Sequence, residues 1–113
     1  MFNTSAINDV SKEYVERINE IFTDKLKKIV LYGSYARGDF NEFSDIDVMI
    51  LVDLPDEEIK KRRKEIVNVT CDLDNKYDVF LSTITKDINH FNHWLPQVPF
   101  YQNVNNEGVI WYE

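Results

Sequence analysis

Gly33-Ser34-Tyr35-Ala36-Arg37-Gly38 and, beyond residues 39–43, Ser44-Asp45-Ile46-Asp47-Val48-Met49-Ile50-Leu51-Val52 decide how this chain reads. The first segment is a glycine-bounded turn. The second places two carboxylates at the mouth of an apolar run. Side chains alternate along a strand, so Asp45 and Asp47 share a face with Met49 and Leu51, while Ile46, Val48, Ile50 and Val52 take the other. Apolar residues on both sides predict a strand buried on both faces. Two carboxylates about 6 Å apart at an effective dielectric near 20 repel by about 3 kcal/mol, before any desolvation. A cation is needed to offset that repulsion.

Asp78 opens a further apolar run, Tyr77-Asp78-Val79-Phe80-Leu81-Ser82, which reads as a strand able to lie beside the first. Three clustered aspartates suit a hard divalent ion such as Mg²⁺, which takes oxygen ligands and keeps water or substrate phosphate as well. Two ions held this way clamp the attacking and leaving oxygens of a displacement at phosphorus. Gly33 follows the short apolar strand Val30-Leu31-Tyr32 and allows close backbone approach. The N–H groups after it start a short helix suited to phosphate, with the Ser34 hydroxyl beside them. Gly33 to Gly38 also fits the start of a P-loop, but Asp39 and Phe40 stand where that motif needs Lys and Ser or Thr. A Walker-type NTPase is disfavoured.

Plainer readings exist for each residue. Asp45, Asp47 and Asp78 could serve turns or caps, although the apolar run behind the first two argues against that. Arg37 either contacts triphosphate or pairs with Asp39 or Asp45. The run Lys60-Lys61-Arg62-Arg63-Lys64 reads first as the solvated face of a helix. His90 and His93 lie one turn apart without an evident third ligand, and Trp94 beside them indicates packing or a partner surface. Cys71, the single cysteine, excludes an internal disulfide and is expected to pack as a small apolar residue.

The 113 residues fit one domain over 1–113, with 43% apolar residues sufficient for a globular core. The longest apolar run, Val48–Val52, is too short to span a membrane, and the N-terminus is polar; a cytoplasmic protein is expected. A formal charge of −7 argues against general nucleic-acid binding and favours a basic protein partner. Ile7, Val10, Tyr14, Ile18, Ile21 and Phe22 predict a helix over Ser5–Thr23. Strands follow at Lys28–Tyr32 and Asp45–Val52, with the turn and a short helix between them. One helix from Pro55 to near Asp74 carries Ile59, Ile66, Val69 and Leu73 inward. After the Asp78 strand come a helix over Thr83–Leu95, another from Pro99 to about Asn106, and a closing strand Val109–Tyr112.

With these residues in place, the chain resembles the DNA polymerase beta-like nucleotidyltransferase superfamily, and within it the minimal nucleotidyltransferase (MNT) antitoxins. The resemblance rests on Leu31-Tyr32-Gly33-Ser34-Tyr35-Ala36-Arg37-Gly38, Ser44-Asp45-Ile46-Asp47, Tyr77-Asp78-Val79 and the less specific Glu107-Gly108-Val109-Ile110-Trp111-Tyr112. It implies an α/β (α+β) fold, a single-domain mixed sheet with helices packed against it. It implies a protein adenylyltransferase that moves AMP from ATP to a tyrosine of a HEPN-domain ribonuclease toxin, its partner in a hetero-oligomer. Gly33 and Ser34 would hold the β- and γ-phosphates, Arg37 would assist, and Asp45 and Asp47 would bind two Mg²⁺ ions. Asp78 would complete the site, helping to hold the metal that activates the acceptor and receiving its proton.

Two-domain members of the superfamily carry an extra domain that helps to enclose the nucleotide or acceptor. This chain is expected to need a partner surface for that purpose. The alternatives are an antitoxin that neutralises its toxin by masking alone, and a transferase acting on small molecules. Adenylylation by the intact Asp45, Asp47 and Asp78 set is the first reading.

Overall fold

A computed structural model describes residues 4–113, with side chains from residue 7 onward; the polar start of the chain lies outside the described residues. Helix α1 (Thr4–Phe22) leads through a short 3-10 turn into strand β1 (Leu26–Tyr32), the one-turn helix α2 (Ser34–Arg37) and strand β2 (Ile46–Val52). Helices α3 (Asp56–Lys61) and α4 (Arg63–Tyr77), strand β3 (Leu81–Asp87), helices α5 (Ile88–Trp94) and α6 (Pro99–Glu107) and strand β4 (Val109–Tyr112) complete the order. The sheet runs β3-β2-β1-β4; β2 is parallel to β3 and antiparallel to β1, and β1 is antiparallel to β4. The mixed sheet with packed helices is the expected fold.

The central strand has the predicted two apolar faces. Ile46, Val48 and Ile50 pack with Val10, Tyr14 and Ile18 of α1 and with Ile66, Val69 and Leu73 of α4. Met49 and Leu51 face the other way, onto Phe91 of α5 and Tyr101 and Val104 of α6. Each fully buried aliphatic side chain contributes about 1.5–3 kcal/mol, so the two layers fix β2 in place and with it the positions of its acidic leading residues.

The helices differ from expectation in four places. The helix predicted from Pro55 breaks at Arg62, which leaves helical geometry at φ −101°, ψ 1°. Helix α4 runs past Asp74 to Tyr77, because Lys76 Nζ bonds Glu13 Oε1 of α1 at 2.6 Å and the Tyr77 hydroxyl bonds the same oxygen at 3.3 Å. The residues from Thr83 onward are not helical: Thr83, Ile84 and Thr85 pair with Val48, Met49 and Ile50, where β-branched side chains suit a half-covered strand. Helix α5 starts only where Asp87 caps it by accepting from the Asn89 N–H at 3.0 Å. Cys71 is exposed rather than packed, since it lies off the α4 stripe of Ile66, Val69 and Leu73. Within the basic run, Lys60 meets Asp56 at 3.3 Å and Lys61 meets Glu58 at 3.0 Å on the surface.

Candidate functional site

Strand β1 ends at Tyr32, and Gly33 turns the chain with φ +77°, a region that side-chain-bearing residues avoid. Its carbonyl accepts from the N–H groups of Ala36 and Arg37, both at 3.1 Å, which closes the single turn of α2. Gly38, also left-handed at φ +85°, ends that turn by donating to the Ser34 carbonyl at 2.9 Å. Gly33 is needed for a second reason: a Cβ there would run into Oδ2 of Asp47. The antiparallel register sets this contact, with Tyr32 opposite Asp47. The turn and the carboxylate are therefore packed against each other, as a shared site requires.

Asp45 is exposed just before β2, and Asp47, one residue into the strand, is partly covered. Burial pushes the Asp47 carboxyl above its ordinary range. The charge of Asp45 adds to the shift, and Arg37 opposes it. Tyr32, opposite, is raised mainly by burial and then by the Asp47 charge. Arg37 itself donates from Nε to Asp39 at 3.2 Å and from Nη1 to Glu107 at 3.3 Å, tying α2 to its own loop and to α6. Of the two pairings expected for Arg37, Asp39 is realised and Asp45 is not. The aspartate pair thus carries repulsion that the neighbouring cation relieves only in part.

Asp78 does not open β3. It caps the C-terminus of α4 in the left-handed region at φ 53°, ψ 52°, a place often taken by glycine, and β3 begins at Leu81. It is exposed and lines, with Asp45, a cavity of about 300 Å³ between the loop after α2 and the α4–β3 junction. Asp47 does not line that cavity. The three aspartates therefore do not meet at one point, and among the described residues no group of three metal-binding side chains is formed. Asp45 is the shared member: its charge acts on Asp47, and it lines the same cavity as Asp78.

A residue missed by sequence reasoning secures this junction. Asp74 accepts from the Leu81 N–H at 2.8 Å and pins the first residue of β3 to the last turns of α4. Burial raises its carboxyl, the Leu81 bond opposes that, and the charge of Asp45 raises it further. Beside it, Ile46 donates to the Phe80 carbonyl at 2.8 Å, which sets Phe80 next to the start of β2. No motif singled out Asp74, since it reads as one more polar residue of a helix. His90 packs edge-on against Tyr101 at 6.0 Å, and His93 against Trp94 at 5.0 Å, in keeping with a packing role.

A family model described as "Nucleotidyltransferase domain" matches residues 11–103, which include Gly33, Ser34, Asp45, Asp47 and Asp78. The chain belongs to that family. As a nucleotidyltransferase it is similar to two proteins of Methanocaldococcus jannaschii. It is 40% identical to the inferred protein adenylyltransferase MJ0141 over 79 residues, covering 69% of this chain and 77% of the relative. It is 34% identical to the inferred protein adenylyltransferase MJ0604 over 104 residues, covering 89% of this chain and 93% of the relative. Its fold is similar to a solved structure of a mutant of the toxin–antitoxin MntA-HpeT, with TM-score 0.54 and 17% identity over 98% of this nucleotidyltransferase and 73% of that chain. No helix among the described residues is long and apolar enough to cross a membrane.

Proposed function

We propose that residues 1–113 act as one minimal nucleotidyltransferase domain of the MNT antitoxin type, a cytoplasmic protein that transfers AMP from ATP to a tyrosine of a HEPN-domain toxin held in a hetero-oligomer. The observation that carries this reading is the under-neutralised Asp45–Asp47 pair set against a turn whose glycine leaves just enough room for Asp47. The names of the curated relatives support adenylyl transfer to protein, and the match in fold supports the toxin–antitoxin setting.

The aspartate pair fits Mg²⁺, which is commonly held by one or two carboxylates together with water and substrate phosphate. Bound there, two ions would supply the positive charge that offsets developing charge on the transferred phosphoryl group and on the departing pyrophosphate. Gly33 and Ser34 bind the β- and γ-phosphates through backbone N–H groups and the Ser34 hydroxyl, and Arg37 turns toward them from its exposed pairing with Asp39. Asp78, which lines the same cavity as Asp45, orients the acceptor hydroxyl and takes its proton. The tyrosine oxygen bonds to the α-phosphorus as the bond from that phosphorus to the bridging oxygen breaks, and pyrophosphate leaves on the Gly33–Ser34 side. The open cavity beside Asp45 is where a partner has to exclude water.

Incubation with Mg²⁺, labelled ATP and the product of the neighbouring gene should place label on a tyrosine of that protein. An unlabelled partner, or equal label with Asp45→Ala and Asp47→Ala, would reject the proposal. A double variant that still binds and neutralises the toxin would leave masking sufficient.

A further inference from the structure

Phe43 and Phe80 are the two most exposed large apolar side chains among those described, at 86% and 70%, and both lie on the wall of the cavity that contains Asp45 and Asp78. The backbone that carries each ring is hydrogen-bonded in place. Phe43 sits in a tight loop where its N–H donates to Asn41 Oδ1 at 2.8 Å, and Asn41 and Ser44 bond reciprocally at 3.0 and 3.1 Å. The Phe80 backbone is fixed through the bond from the Ile46 N–H to its carbonyl. Two aromatic rings held in water at the mouth of a site have the character of interface anchors rather than of core.

The charge around them has one sign. The acidic residues lining the cavity are Glu42, Asp45 and Asp78, and among the described residues no Lys or Arg lines it. Arg37 does not line the cavity and pairs with Asp39 and Glu107 outside it. Such a mouth repels the tetra-anionic nucleotide and attracts a cationic peptide, whose encounter it would also steer.

We infer that the Phe43–Phe80 mouth is the docking surface for the acceptor protein, and that it takes a segment in which the acceptor hydroxyl is flanked by Lys or Arg and by an apolar side chain. The nucleotide enters from the Gly33–Ser34 side and the acceptor from the side of the two rings. The division of labour follows: Asp47 lies against the turn, Asp78 lies in the acceptor cavity, and Asp45 stands between them. The identity of the hydroxyl rests on the proposed transfer reaction, whereas the surface itself does not.

The test uses the full chain and three fluorescent synthetic peptides: tyrosine flanked by Lys and Leu, by Glu and Leu, and by Lys and Gly. Anisotropy should give binding of the Lys/Leu peptide at least ~10-fold tighter than of either other peptide, falling with added salt. Phe43→Ser and Phe80→Ser should each weaken that peptide ~5-fold or more, and Glu42→Lys should shrink the charge preference to about 2-fold or less. Thermal melts confirm that the variants fold, and binding of Mg²⁺ with a non-hydrolysable ATP analogue should be unchanged in all three. Equal or absent binding of the peptides, or loss of the ATP analogue in the phenylalanine variants, overturns the inference; in the latter case the rings belong to the nucleotide. Charge- and ring-dependent binding without any nucleotide transfer would reject the transfer reaction and leave the surface standing.

Discussion

The two ends of the candidate site are built differently. On the turn side, β1, the Gly33 bend and β2 are adjacent in the sheet, and Gly33 packs so closely on Asp47 that no side chain fits between them. On the cavity side, Asp78 hangs from the end of a helix, exposed, beside two phenylalanine rings that cover nothing. The first end is built from neighbouring strands of one sheet, which suits the small polyanion proposed to bind there. The second end is the exposed surface on which the acceptor is proposed to dock. Asp45 neighbours Asp47 and lines the cavity with Asp78, so under the proposed reaction one carboxylate pair and one outlying carboxylate serve it without a three-way cluster among the described residues.

Substitutions at the closed end should produce the largest effects. Asp47→Asn should lower transfer by ~10³-fold or more, since it removes a charge that the reacting phosphoryl group and its counter-ions require. The same change should not destabilise the fold. The Asp47 carboxyl titrates above its unfolded value, so its ionised form opposes folding, and that penalty grows as pH rises through its folded pKa. Melting curves of wild type and variant should coincide at strongly acidic pH, and the variant should melt higher at neutral pH without Mg²⁺. Wild type melting higher than the variant at neutral pH, with no divalent ion present, would break the contrast. Gly33→Ala should lose activity and also about 2–4 kcal/mol of stability by chemical denaturation, from the left-handed backbone together with the overlap on Asp47.

The open end should respond more gently. Asp74→Ala removes the acceptor for the Leu81 N–H and should cost about 1–2 kcal/mol, with transfer down ~10-fold as the Phe80 wall shifts; Asp74→Asn keeps an acceptor and should recover most of both. An Asp74→Ala protein with wild-type stability would show that the α4–β3 junction is not held in this way. Smallest of all, Lys61→Ala should leave the melting temperature and transfer unchanged, because its partner Glu58 is solvated and exposed ion pairs contribute little.

The same contrast governs how much could be read from the sequence. The closed end is local in the chain: Gly33, Ser34, Asp45 and Asp47 fall within one strand–turn–strand unit, and the period of two along β2 gives both faces correctly. The open end depends on tertiary contacts. Glu13 of α1 prolongs α4 through Lys76 and Tyr77, which turns Asp78 from a strand residue into a helix cap and delays β3 to Leu81. Thr83 to Asp87 read as the start of a helix in the sequence and become a strand because β2 offers a parallel edge. Asp74 carries no signal in its neighbours, since its role is a bond seven residues away.

The most direct test is a crystal structure with Mg²⁺ and a non-hydrolysable ATP analogue. Ions should lie between Asp45, Asp47 and the α-phosphate, with the outer phosphates on the Gly33–Ser34 backbone and the Phe43–Phe80 cavity left open. A triphosphate bound elsewhere, or ions that ignore the aspartate pair, would contradict it.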